Sequence, residues 1–117
     1  MILAVQGSNR FEDYTIFLRS MLTGLGTMHD DDKEINIYSA GPYRVNDMAQ
    51  EFSNKSEDSL RARGIRIRVR KVTQRWLKTN MGSVDYFAFF SKPGEPISEL
   101  VDVADDLKVE AQVYTFQ

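Results

Sequence analysis

Residues 65–70 read Ile-Arg-Ile-Arg-Val-Arg, IRIRVR. Apolar and cationic residues alternate with period two. An extended chain therefore puts Ile65, Ile67 and Val69 on one face and Arg66, Arg68 and Arg70 on the other. A strand with one cationic face does not suit the middle of a sheet covered on both sides. It belongs at an edge, where that face stays wet. Two other segments read the opposite way. Ile2 to Val5 (ILAV) is a continuous apolar run, and Val84 to Phe90 (VDYFAFF) is nearly so, as strands buried on both faces require. Glu34 to Ser39 and Val109 to Phe116 complete the set of strands.

Between these strands the apolar period becomes helical. Tyr14, Phe17, Leu18, Met21, Leu22 and Leu25 define one stripe, with Asp13 before it as a capping carboxylate. Gly24 and Gly26 weaken its end. Val45, Met48, Ala49, Phe52, Ser56, Leu60 and Arg63 share one side of a long helix that Gly64 closes. Thr73 caps a short helix carrying Trp76 and Leu77. Pro96 suits the first turn of a fourth helix, whose stripe is Ile97, Leu100, Val101, Ala104 and Leu107. Strictly alternating strands and helices predict an α/β fold with a mostly parallel sheet. The expectation is a single Rossmann-like three-layer domain over residues 1–117 with a five-stranded sheet. With the arginine-bearing strand at an edge, the order 3-2-1-4-5 puts the two most apolar strands side by side at the centre.

The composition narrows the function classes. Hydrophobic residues at 42% and charged residues at 27% are ordinary globular values, so disorder is not expected. A net charge of −2 gives no global field for nucleic acid, which is not an expected partner. The absence of cysteine excludes disulfides, thiolate nucleophiles and cysteine metal sites. MILAV is too short and lacks the basic flank of a secretory signal, and no apolar run nears the ~18 residues of a membrane span. A cytoplasmic location and no membrane partner are therefore expected. The sole histidine, His29, sits in MHDDDKE, where consecutive side chains do not converge on one ion. No metal site and no cofactor are expected, and Ser/His/Asp catalysis has little support.

In an open parallel sheet, ligands bind beyond the carboxyl ends of the strands, where the order reverses. Here that point lies between the first and fourth strands. Three glycine-bearing loops emerge on that side: Gly7-Ser8-Asn9-Arg10, Ser39-Ala40-Gly41-Pro42 and Ser91-Lys92-Pro93-Gly94. Each precedes a helix whose free N–H groups favour an anion. Arg10 and Lys92 add charge. There is no GxGxxG and no Walker lysine pattern, so each loop alone is as readily a plain turn. Their convergence makes Gly7, Ser8, Asn9, Arg10, Ser39, Gly41, Lys92, Gly94 and Ser98 the candidate ligand-binding set, with Gly7 to Arg10 as the phosphate-binding loop. Glu99 is placed to meet a ribose or to act as a catalytic acid or base; equally, it is a residue that favours the positive end of its helix.

Residues 61–78 carry Arg61, Arg63, Arg66, Arg68, Arg70, Lys71, Arg75 and Lys78 and no acid. One reading is a charged edge that resists aggregation. Docking of a macromolecule and a homo-oligomer contact are the alternatives. The single aromatic, Trp76, is too little for a nucleic-acid stacking platform.

Taken together, MILAVQGSNRFEDYTIF, INIYSAGPYRVNDMAQEFSN, IRIRVRKVTQRW and VDYFAFFSKPGEPISELVDVA resemble the SLOG superfamily. That group includes the Lonely-Guy phosphoribohydrolases and the DprA-related Rossmann-like domains. The nearest branch is that of the YspA/YpsA-related small bacterial and phage proteins. Gly7, Ser8, Phe11, Asp13 and Tyr14 are in step with that branch's G-S-R-x-F-x-D-Y opening. The P-G-G-x-G-T loop of the family is here Lys92-Pro93-Gly94-Glu95-Pro96-Ile97, which loses two glycines and the threonine hydroxyl. Ser98 could supply that hydroxyl one position later. The resemblance implies a nucleotide or nucleotide-derived ligand in the crevice, held by a sensor or sequestering protein. The alternatives are an N-glycosidic hydrolase of nucleoside monophosphates using Glu99, and an interaction module using the 61–78 edge.

Overall fold

The structure, a computed structural model, describes residues 1–117. Strand and helix alternate throughout: β1 (Ile2–Gly7), α1 (Tyr14–Leu25), β2 (Glu34–Ser39), α2 (Tyr43–Ala62), β3 (Arg66–Lys71), α3 (Gln74–Asn80), a 3-10 turn (Met81–Ser83), β4 (Tyr86–Ser91), α4 (Glu99–Asp106) and β5 (Glu110–Thr115). The strands form one five-stranded sheet in the order β3-β2-β1-β4-β5. Every pairing is parallel, as the strand-helix alternation demands.

Burial follows the hydrophobic pattern. All six residues of β4 are buried, as are the four central residues Leu3 to Gln6 of β1. On β3 the arginines are exposed while Ile67 and Val69 are half-buried against the core, so the cationic face lies at the sheet edge. α1 and α2 cover one side, where Phe17, Met21 and Phe52 pack with Leu3, Val5, Ile37 and Phe90. α3 and α4 cover the other, where Leu77, Leu100 and Ala104 pack with Ala4, Phe87 and Phe89.

The caps explain where the helices begin and end. Asp13 accepts from the Thr15 and Ile16 N–H groups, and Thr73 accepts from the Trp76 N–H. Gly64, at φ +75°, turns the chain out of α2. Pro96 does not open α4. Gly94, at φ +88°, is the third residue of a turn in which the Glu95 N–H donates to the Lys92 carbonyl, and the chain becomes helical only after Ser98. The Ser98 hydroxyl caps α4 by accepting from the Leu100 N–H.

The stripes also differ in detail. Leu22, Ile97 and Leu107 are exposed, whereas Ser20 and Gly24 are buried. α1 sits so close to the sheet that its inner face needs small residues: a Cβ on Gly24 would lie 2.7 Å from Leu3 Cδ2 and 3.0 Å from Tyr86 Cδ2.

Candidate functional site

β1 and β4 end side by side, with Gly7 level with Phe90. The Gly7–Arg10 turn and the Lys92–Ser98 loop leave the sheet together there, at the point where the strand order reverses. The turn is pinned. The Gly7 N–H donates to the Gly41 carbonyl (3.1 Å), and the Ser8 N–H donates to the Phe90 carbonyl (2.9 Å). The Arg10 N–H donates to Ser8 Oγ (3.2 Å), and the Phe11 N–H to the Ser8 carbonyl (3.0 Å). Two N–H groups at the start of α1 are taken by Asp13. The expected cradle of free amides is therefore largely spent on the fold itself. What the crevice offers a ligand is mainly side chains.

Two cavities adjoin at this edge. The smaller, about 240 Å³, is lined by Gln6, Ser8, Ser91, Glu95 and Ser98 among others. The larger, about 420 Å³, is lined by Arg10, Arg44, Glu12 and Phe116 among others. Asn9 and Lys92 line both. Around the larger cavity stand three cations, Arg10, Arg44 and Lys92, against one side-chain carboxylate, Glu12, which pairs with Arg44. This surplus of positive charge stands on a chain that is net acidic.

The smaller cavity holds a carboxylate that sequence reasoning did not single out. Ser8 Oγ donates to Glu95 Oε2 at 2.5 Å, and Arg10 Nε lies 3.9 Å from Glu95 Oε1. A chain of amides leads away from the same wall. Gln6 Nε2 donates to Gln74 Oε1 (2.9 Å), and Gln74 Nε2 donates to Glu99 Oε1 (3.2 Å). Lys78 Nζ donates to Glu99 Oε2 (3.3 Å). The hydrogen bonds from Gln74 and Lys78, with the Lys78 charge, hold the Glu99 carboxyl below its ordinary pKa. Gln6 Oε1 is buried and has no partner.

The expected site residues divide accordingly. Gly7, Ser8, Asn9, Lys92 and Ser98 line the smaller cavity, and Arg10 the larger. Ser39 lies beneath the surface, its hydroxyl donating to Asn46 Oδ1 at 2.5 Å. Gly41, at φ +82°, contributes its carbonyl to Gly7, and Gly94 stands at a loop tip; neither lines a cavity. Glu99 is exposed, ion-paired and outside both cavities. Arg44, Glu95, Gln6 and Gln74 were not among the expected residues. Gln6 carried a readable signal, since it is a polar residue continuing an apolar strand. Arg44 carried one too, as the arginine that follows the Ala40-Gly41-Pro42 turn.

The remaining candidates lie elsewhere. His29 is exposed, and Asp32 accepts from its N–H at 2.9 Å; no group of three metal-ligating side chains exists. On the basic edge, Arg68 meets Glu34 at 3.7 Å and Arg70 lies over Trp76 at 4.7 Å, while Arg61 and Lys78 have their own carboxylates. No helix is long and apolar enough to cross a membrane. Comparison with protein families, with characterised proteins and with solved structures finds no match to this chain.

Proposed function

We propose that the chain binds a nucleotide or nucleotide-derived ligand in the crevice between the β1–α1 and β4–α4 loops. The observation that carries this reading is the pair of adjoining cavities at the strand-order reversal, one ringed by Arg10, Arg44 and Lys92. Guanidinium and ammonium groups are the side chains that recognise phosphate when backbone amides are already engaged. The second cavity gives the rest of such a ligand somewhere to sit, because Asn9 and Lys92 connect the two.

Membership of the SLOG superfamily belongs to the same proposal, supported by the GSNRFEDY stretch. A cytoplasmic sensor or sequestering protein of bacterial or phage origin is its natural form. Binding without turnover fits the local chemistry. The carboxylate suggested for glycosidic hydrolysis, Glu99, lines neither cavity and is held in its charged form, which does not suit a general acid.

A thermal-shift screen of the common nucleoside monophosphates tests the reading. The expected result is a saturable rise in Tm that disappears in Arg44→Ala and persists in Arg68→Ala. Failure of every nucleotide to shift the wild-type Tm would remove it.

A further inference from the structure

The smaller cavity differs from the larger in charge: Lys92 and Glu95 are its only charged side chains, where the larger has three cations and Glu12. Glu95 takes one hydrogen bond, from Ser8, and its other oxygen is 3.9 Å from Arg10 Nε, beyond hydrogen-bond reach. A carboxylate has about four acceptor sites, so Glu95 retains free ones. Gln6 lines the same cavity, but its unpartnered carbonyl oxygen is buried beneath the wall and is not open to a ligand.

A phosphate monoester near neutral pH is mostly dianionic and offers chiefly acceptors. At Glu95 it would meet a like charge. The phosphoryl group therefore goes with Arg10, Arg44 and Lys92, and the smaller cavity takes a group rich in donors. One ligand reaches both, because Asn9 and Lys92 line both cavities. In a nucleotide the group next to the phosphate is the sugar, and a ribose diol can donate two hydrogen bonds to one carboxylate.

We infer that Glu95 is the sugar-recognising residue of the crevice, and that the ligand is a ribonucleotide-type phosphate rather than its deoxy counterpart. The inference rests on the nucleotide-binding reading above and assigns to Glu95 the sugar contact first sought at Glu99.

NMR titration of labelled protein with inorganic phosphate, ribose 5-phosphate and 2-deoxyribose 5-phosphate separates the two claims. Wild type is expected to bind ribose 5-phosphate at least about tenfold tighter than the deoxy sugar, the worth of one good hydrogen bond to a charged acceptor. Glu95→Gln is expected to erase that preference without weakening the affinity for inorganic phosphate. Arg44→Ala is expected to weaken all three.

Equal binding of the two sugar phosphates by wild type would overturn the inference and leave the phosphate site standing. Tighter binding of both by Glu95→Gln, with the preference unchanged, would also overturn it and make Glu95 an internal competitor of the phosphate. No response to any of the three would remove the anion site and the inference with it.

Discussion

Phe11 lies flat against Phe90, with ring centroids 4.3 Å apart and planes within 4° of parallel. The contact joins the residue just past the Gly7–Arg10 turn to the carboxyl end of β4, and Phe116 closes it edge-on at 5.0 Å. Phe11 is fully buried. Phe11→Ala is expected to cost about 3–5 kcal/mol by urea unfolding. It should also raise amide exchange at Ser8 and Arg10, whose hydrogen bonds depend on the turn staying seated. A loss of stability with no change in exchange at those two amides would contradict this anchoring role.

Gly24 sits in α1 under conditions that reverse the usual glycine rule. In an open helix Gly→Ala gains about 1 kcal/mol. Here the added methyl would lie 2.7 Å from Leu3 Cδ2 and 3.0 Å from Tyr86 Cδ2, and both neighbours are fully buried. Gly24→Ala is therefore expected to destabilise by about 1–3 kcal/mol, read as a lower denaturation midpoint. A stabilised variant would mean that α1 can lift off the sheet.

The strand order was legible because a single segment, IRIRVR, had only one tolerable position. Its arginines had to reach water, which fixed β3 at an edge and left ILAV and the β4 run for the centre. Asp13 and Thr73 were legible as caps because capping is local chemistry. Pro96 misled because its preference for a helix start competes with the turn set by Gly94, and Ser98 supplies the better cap. Leu22 misled because helical periodicity does not report how near the helix lies to its sheet. The crevice of the candidate site was legible from the strand order, and the side chains that line it only in part. The Ser8–Glu95 contact spans 87 positions and follows from two loops meeting at neighbouring strand ends. No spacing in the sequence encodes that meeting. The spending of the turn amides on Gly41 and Phe90 is equally long-range.

Glu99 gives a prediction with a definite sign. Its pKa is depressed, first by the hydrogen bond from Gln74 and then by Lys78. Whatever stability it contributes is present above the unfolded-state value of about 4.3 and is lost as pH falls through the lower folded value. Gln74→Ala and Lys78→Ala should each move the Glu99 carboxyl titration, followed by carbon NMR, back up toward the ordinary value. A wild-type Glu99 that titrates at that ordinary value would contradict the network.

Tyr86 works in the opposite direction. Burial first, and then its hydrogen bond with Tyr114 at 2.5 Å, raise its phenol pKa well above the ordinary value. The neutral form is the one the fold stabilises. That contribution is complete below the unfolded-state value of about 10 and is lost as pH rises from there toward the folded value. Tyr86→Phe should cost about 1 kcal/mol near neutral pH. It should also lose less stability than wild type between about pH 8 and about pH 11, measured by urea unfolding at each pH.

The central claim is that a phosphate-bearing nucleotide is held by Arg10, Arg44 and Lys92 at the reversal of the sheet. Amide shift mapping of the labelled protein with adenosine 5′-monophosphate tests it directly. The predicted result is saturable shifts centred on Asn9, Arg10, Arg44 and Lys92, with binding weakened about tenfold or more in Arg44→Ala. Shifts confined to the Arg66–Arg70 edge, or none with any nucleoside monophosphate, would contradict it.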